Sequence, residues 1–293
     1  MKQIILDTDI GGDCDDAGAL VLLKTLVKKG EIELSAVTSC TTMEGAENTV
    51  AAVLGYYGMT VPVGVMREPP FMCDGDYNRY ARQIKQEFGG NIETEDAVKL
   101  MRRTLACVKE KAVIIGIGPQ RNLARFLASA ADEFGPAGKE LAAKKVEKLV
   151  VMGGTFLSVP IVFEEKIQYV EWNILQDVGA ARYVADNWPT ELVYSPFELG
   201  YDIQTGRNLP KGSPARRCYD IRSGLTRSSW DLCAAYYGAR GCGDIFSLSE
   251  RGAVIVKEDG KTEFIPKQDG RHRVLRQSAL LKEIENTLDE LVR

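Results

Sequence analysis

Histidine is almost absent from this 293-residue sequence: there is one, His272. That excludes histidine-rich metal sites and argues against Ser-His-Asp chemistry. No CxxC pair occurs among the seven cysteines, Cys14, Cys40, Cys73, Cys107, Cys218, Cys233 and Cys242. An odd, scattered set suits unpaired, mostly buried thiols in a reducing compartment, so a cytoplasmic location is expected. Positive charge is not in excess. The formal net charge is −4 and the pI about 5.4, so no nucleic-acid partner is expected. Apolar runs long enough to span a bilayer, about 18 residues, are missing, which excludes a helical membrane span. The first residues lack the basic stretch and cleavable apolar core of a secretory signal. No repeat, low-complexity tract or linker interrupts the chain, so residues 1–293 are read as a single domain.

What is present is an alternation of strand-like and helix-like stretches. "QIIL" precedes the helical pattern "DDAGALVLLKTLVKKG", and "LSAVTS" precedes "MEGAENTVAAVLGYYG". "VPVGV" is followed by a long loop, Arg67 to Gly90, rich in Pro, Gly, Asp and Asn. Then come "TEDAVKLMRRTLACVKE", "AVIIGIG", "PQRNLARFLASAADEF", "VEKLVVMGG", "DVGAARYVADNW" and "ELVYSP". Nearly continuous apolar strands alternating with helices predict an α/β fold: an open, mostly parallel sheet covered by helices on both faces. "GAVIVKEDGKTEFI" reads as a hairpin turning at Asp259-Gly260. In such a sheet ligands gather outside the carboxyl ends of the strands. Asp7 and Asp9, Gly116 to Gly118, and Gly153-Gly154 all follow predicted strands and should converge there.

The densest signal is five aspartates, Asp7, Asp9, Asp13, Asp15 and Asp16, within ten residues. Like charges this close repel unless a positive charge sits among them. Asp15 and Asp16 could cap the helix starting near Ala17, but a cap needs one carboxylate, not five. A carboxylate cluster without histidine or cysteine partners selects a hard cation, Ca²⁺ or Mg²⁺. "DIGGD" is a poor phosphate cradle, having no P-loop lysine and flanking acids that repel phosphate.

"ILDTD" resembles the DxD strand end of Mg²⁺-dependent haloacid-dehalogenase-type phosphatases, although Gly11 departs from that pattern. The whole stretch more closely resembles the nucleoside hydrolase family, which opens with DTDPGxDDA. Asp7-Thr8-Asp9, Gly11 and Asp15-Asp16-Ala17 match, with Ile10 for Pro and two extra residues. "IIGIGPQRNLA" resembles the family segment ending in GPLTNLA, and "KLVVMGG" its VMGG strand end. "VEWNILQDVGAA" is similar to AEFNxxxDPEAA, and "SWDLCAA" to the segment carrying the last metal-binding Asp.

The resemblance implies a Rossmann-like core and Ca²⁺ held by Asp9, Asp16, Asp231 and the Ile117 carbonyl. It implies that Asp9 is the base acting on water, that Asp15 holds the 2′-hydroxyl, and that Glu171 and Asn173 bind the other sugar hydroxyls. The activity implied is hydrolysis of a ribonucleoside or related riboside to base and ribose, by a homodimer or homotetramer. The family's histidines are missing. Trp230 precedes Asp231 and could stack on a purine, assisted by Phe71, Tyr77 or Tyr80, with Asp74, Asp76 or solvent giving the proton. "TSCTTMEG" replaces the family's Gly-Asn after the second strand, and Glu165 stands where an Asn is usual. These departures keep open a non-catalytic riboside- or metal-binding protein of the same fold.

Overall fold

The computed structural model describes residues 1–72, 80–89, 92–157, 160–163 and 166–293. The first half of the chain alternates strands and helices: β1 (Lys2–Thr8), α1 (Asp15–Lys28), β2 (Ile32–Ser39), α2 (Ala46–Tyr56), β3 (Val63–Val65), α3 (Ala81–Phe88), β4 (Thr94–Asp96) and α4 (Ala97–Cys107). It continues with β5 (Ala112–Gly116), α5 (Arg121–Ala128), α6 (Gly138–Lys145) and β6 (Val146–Met152). A small hairpin follows, β7 (Ile161–Phe163) and β8 (Lys166–Gln168), then α7 (Trp172–Gln176), α8 (Val178–Asn187), β9 (Glu191–Ser195) and α9 (Phe197–Gly200). The remainder is β10 (Gln204–Thr205), α10 (Pro214–Arg222), β11 (Arg227–Ser228), α11 (Trp230–Arg240), β12 (Phe246–Leu248), β13 (Gly252–Val256), β14 (Thr262–Pro266), β15 (His272–Gln277) and α12 (Leu281–Leu291).

The main sheet runs β14-β13-β15-β9-β6-β5-β1-β2-β3-β4, with β12 pairing on β15. From β15 through β4 the neighbours are parallel. The hairpin β13–β14 and strand β12 are antiparallel additions at one side. After β1 the chain first builds outward through β2, β3 and β4, then returns to lay β5 on the other flank of β1. The order therefore reverses between β1 and β5, the topological switch point where α/β sheets bind ligands.

Side chains alternate across the sheet as strand geometry demands. Ile4 and Leu6 face a core shared with α1, α11 and α12, while Ile5 faces the core built with α4, α5, α6 and α8. No helix among the described residues is long and apolar enough to cross a membrane.

Three details differ from expectation. The loop after Arg67 contains helix α3, because Ala81 and Ile84 provide a buried face. Thr94–Asp96 forms an edge strand rather than helix, and Asp96 starts α4 by accepting the Lys99 N–H at 3.0 Å. Helix α1 begins at Asp15, with Cys14 at its N-cap position and no side-chain cap, so neither Asp15 nor Asp16 is a cap.

Candidate active site

Asp15, Asp16 and Asp231 come together at the switch point. One carboxylate oxygen of each lies within 4.8 Å of the others, and all three residues are buried. Asp15 and Asp16 occupy the first turn of α1 and Asp231 the first turn of α11. Two helix N-termini thus aim their partial positive charge at the acids, which offsets some of the repulsion. Further bonds fix the acids: Asp231 N–H donates to Asp15 Oδ2 at 3.1 Å, and the Thr8 hydroxyl donates to Asp16 Oδ1.

Asp9, half-buried just beyond β1, falls outside that threefold grouping but adjoins it. Its closest constraint is Gly118, where a Cβ would come within 2.7 Å of Asp9 Oδ1 and 2.6 Å of Cys40 Sγ. A glycine is therefore needed for the end of β5 to approach Asp9. The preceding peptide is pinned at both ends. Ile117 N–H donates to Asp7 C=O at 2.8 Å, and its carbonyl accepts the Asn173 amide at 3.1 Å.

Glu171 caps α7. Its carboxylate accepts the N–H groups of Asn173 (2.7 Å), Ile174 (3.0 Å) and Gly154 (3.1 Å). The Asn173 amide nitrogen also donates to the Met152 carbonyl at 3.2 Å. Ile117, Glu171 and Asn173 are thus one hydrogen-bonded unit, brought from two segments to the same end of the sheet.

Burial is the main cause of a general upward pKa shift here. It holds Glu171 at about 7 despite three backbone donors. It raises Asp9, and the negative charges of Asp15, Asp13 and Glu171 add to the effect. Asp15, Asp16 and Asp231 are raised by burial and then by their acidic neighbours. Buried, mutually repelling oxygen donors fit a hard divalent ion, which would relieve both costs at once.

The other two aspartates of the cluster do different work. Asp7, held at about 7 by burial, accepts from Thr38 Oγ1 at 2.7 Å and Asn122 Nδ2 at 2.9 Å, a scaffold beneath the site. Asp13 is gripped by Arg227, whose Nε lies 2.9 and 3.1 Å from its two carboxylate oxygens.

The aromatic residues expected around a leaving base are engaged within the protein. Trp230 is 6% exposed, stacks on Phe197 at a centroid distance of 5.3 Å, and donates its indole N–H to the Phe197 carbonyl at 2.8 Å. Tyr80 is fully buried. The Phe71 ring lies 3.6 Å beneath the Arg121 guanidinium. Tyr77, Asp74, Asp76 and Glu165 lie outside the described residues. His272 is buried in β15, where its Nδ1 accepts the Val254 N–H at 2.8 Å.

Sequence reasoning missed Tyr80 as a buried anchor, the Asp13–Arg227 pair, and the fully buried Gln120 beside Gly153. No periodicity or spacing marks a pair 214 residues apart.

No curated protein sequence matches the chain significantly. Among solved structures it is similar to the inosine-uridine preferring nucleoside hydrolase from Bacillus anthracis, at 22% identity and TM-score 0.73, covering 100% of this chain and 99% of that one. It is also similar to the purine-preferring ribonucleoside hydrolase from Gardnerella vaginalis (17% identity, 99% of each chain, TM-score 0.67). A third is the type III effector protein XopQ complexed with adenosine diphosphate ribose (14% identity, 99% of this chain and 93% of that one, TM-score 0.68). Residues 4–262 match the family model for inosine-uridine preferring nucleoside hydrolases, and the chain belongs to that family.

Proposed function

We propose that this member of a ribonucleoside hydrolase family uses Ca²⁺ to hydrolyse the N-glycosidic bond of a ribonucleoside or related riboside. The observation that carries the reading is the buried Asp15–Asp16–Asp231 group at two helix N-termini, with Asp9 near enough to feel the charge of Asp15. Asp9, Asp16, Asp231 and the Ile117 carbonyl are the proposed ligands, all of them oxygen donors. When bound, the ion would acidify a water and fix the sugar diol.

Asp9 is the proposed general base. Burial and acidic neighbours make it more basic than an ordinary aspartate, which favours proton uptake near neutral pH. Asp15 is assigned to the 2′-hydroxyl, since the Asp231 N–H occupies only part of its acceptor capacity. Asn173 spends its amide nitrogen on two carbonyls, which leaves its oxygen to accept from a sugar hydroxyl. Glu171 also has acceptor capacity beyond its three backbone bonds. The surrounding carboxylates stabilise the positive charge that develops on the sugar as the bond breaks.

Leaving-group help is the weak side of this site. The one histidine lies in the sheet, so substrates with good leaving groups should be favoured, and Trp230 is assigned to the wall of the pocket. The same absence favours a second reading, a non-catalytic riboside binder. Its fold is shared by an effector whose structure holds adenosine diphosphate ribose. Membership of the hydrolase family removes the support for a DxD phosphatase.

Reducing-sugar release from a panel of nucleosides and p-nitrophenyl riboside, with Ca²⁺ and with chelator, tests the proposal. Ca²⁺-dependent release supports it. Tight riboside binding without release on any substrate establishes the second reading instead. Light scattering would test the proposed dimer or tetramer.

A further inference from the structure

The loop joining β1 to α1 carries Asp9 at one end and Asp15 and Asp16 at the other. It is two residues longer than the DTDPGxDDA pattern, the extra length falling among Gly12, Asp13 and Cys14. A longer loop has more backbone polar groups to satisfy and more conformations to restrict. Both problems bear directly on the carboxylates, since a ligand set is useful only when its oxygens are held in register.

Two side chains from distant parts of the chain close this loop. Tyr80, beside the first turn of α3, accepts the Gly11 N–H at 2.9 Å and donates its hydroxyl to the Asp13 carbonyl at 2.5 Å. One hydroxyl thus satisfies a donor and an acceptor on opposite sides of the turn. Arg227 of β11 grips the Asp13 carboxylate through Nε and Nη2, and Arg222 Nη2 lies 3.8 Å away. The grip is a fork on a planar acceptor, which fixes orientation as well as charge.

The seat of Tyr80 is itself tight. Gly11 has φ +138°, and a Cβ there would lie 2.3 Å from Met43 Sδ and 3.1 Å from the Ala81 Cβ. At Gly45, φ +89°, a Cβ would lie 2.7 Å from the Ala81 carbonyl. Two glycines therefore let α2 and the aspartate loop close onto the start of α3, so the hydroxyl is presented from a packed element.

We propose that Tyr80 and Arg227 are positioning residues for the cation: they brace the lengthened loop at Gly11 and Asp13 and so hold Asp9 in register with Asp15 and Asp16. The brace touches neither the ion nor the sugar, and the inference rests on the Ca²⁺ reading above. It gives Asp13, the acid left over from the ligand set, a purpose as the handle by which the loop is held.

The test is a Ca²⁺ titration of chelator-stripped full-length protein, followed by thermal shift, for wild type, Tyr80→Phe and Arg227→Lys. Tyr80→Phe removes only the hydroxyl, and Arg227→Lys keeps the charge but loses the fork. Each variant should show an apparent Ca²⁺ affinity weaker by about tenfold, the size of one or two lost hydrogen bonds. A merely structural role would lower the melting temperature equally with and without Ca²⁺ and leave the apparent affinity within about twofold of wild type; that result overturns the brace alone. A wild type without any Ca²⁺ response overturns the metal reading and the brace with it. Should Tyr80→Phe not fold, Arg227→Lys decides by the same readout, because both act on Asp13.

Discussion

Asp231 donates its backbone N–H to the Asp15 carboxylate at 3.1 Å, which ties together the first turns of two helices whose residues are 216 apart in sequence. The bond does more than join α1 to α11. It fixes the angle between two helix dipoles that both point into the acidic cluster, so the cluster's geometry is set by whole elements rather than by mobile side chains. Asp9 stands apart from this rigid pair on the strand side, free of the threefold grouping and more basic than usual. All four acids are raised by burial, and Asp9, at the strand end, is the one proposed both to hold the ion and to take the proton.

Asp9→Asn should therefore lower kcat by ~10²–10⁴, the usual worth of a general base. The variant should keep its fold and a weakened Ca²⁺ response, because Asp16 and Asp231 remain. Asp16→Asn should lose the Ca²⁺ response altogether. Steady-state kinetics with parallel thermal shifts would check both. A kcat for Asp9→Asn within tenfold of wild type rejects Asp9 as the base.

The metal-free protein should be less stable at pH 8 than at pH 6.5. Burial raises Asp7 and Glu171 to about 7 and pushes Asp9, Asp15, Asp16 and Asp231 upward as well. Unfolded, these groups titrate near ~4. The folded state then binds more protons than the unfolded state from about 4 to beyond 7, so stability falls as pH rises through that range. His272 acts oppositely, since burial lowers it to about 4, but most of its effect is spent below about 6.5, the value of an unperturbed histidine, and one such group is outweighed by six acids. Melting in chelator at pH 6.5 and 8 should show the fall. Added Ca²⁺ should raise the melting temperature more at pH 8. A Ca²⁺ increment equal at both pH values would mean the raised carboxylates are not the ion's ligands.

The fold was readable because β1, β5 and β6 are apolar runs that alternate with helix-like stretches. The hairpin was readable from Asp259-Gly260, whose glycine adopts φ +83°. The Asp7–Asp16 cluster pointed to a cation by charge density, and the fold joins two of its acids with Asp231 in a group that could hold one. What the sequence hid was partnership over distance. Nothing near Asp13 signals Arg227, and nothing near Tyr80 signals the Gly11 N–H. Helix α3 was hidden because its apolar positions, Ala81, Ile84 and Phe88, span only two turns within a stretch whose Pro, Gly, Asp and Asn read as loop. The indole of Trp230 was hidden differently. Its position was found from the motif, but a motif does not say that Phe197 already occupies a ring face.

Trp230→Ala should reduce turnover of purine nucleosides and of p-nitrophenyl riboside by the same factor. The indole N–H is spent on the Phe197 carbonyl and the ring stacks within the protein, so its loss removes packing common to both substrates. A buried Trp→Ala change costs ~3–5 kcal/mol, so the melting temperature should fall markedly. A loss confined to the purine nucleosides would instead assign Trp230 to leaving-group activation.

Gln120→Leu should stabilise the protein. Gln120 is fully buried, and neither its amide nitrogen nor its amide oxygen finds a hydrogen-bond partner among the described residues. Each such unsatisfied group costs about 1–3 kcal/mol, whereas an apolar group of similar shape carries no such penalty. Leucine has nearly the same volume, and it is the residue that the family segment GPLTNLA carries at this position. Each kcal/mol gained should appear as a rise of roughly 2–4 °C in melting temperature. A Cβ placed on Gly153 would lie 3.7 Å from Gln120 Nε2 and 3.5 Å from Glu171 Oε2, so the amide lies close to the unit proposed to bind the sugar. Kinetics on the same variant separate two origins of the polar residue. A higher melting temperature with KM unchanged identifies Gln120 as a tolerated cost in the core. A higher melting temperature with a raised KM shows that the amide is kept for the substrate. A lower melting temperature refutes the premise, because it means that the amide is already satisfied in solution.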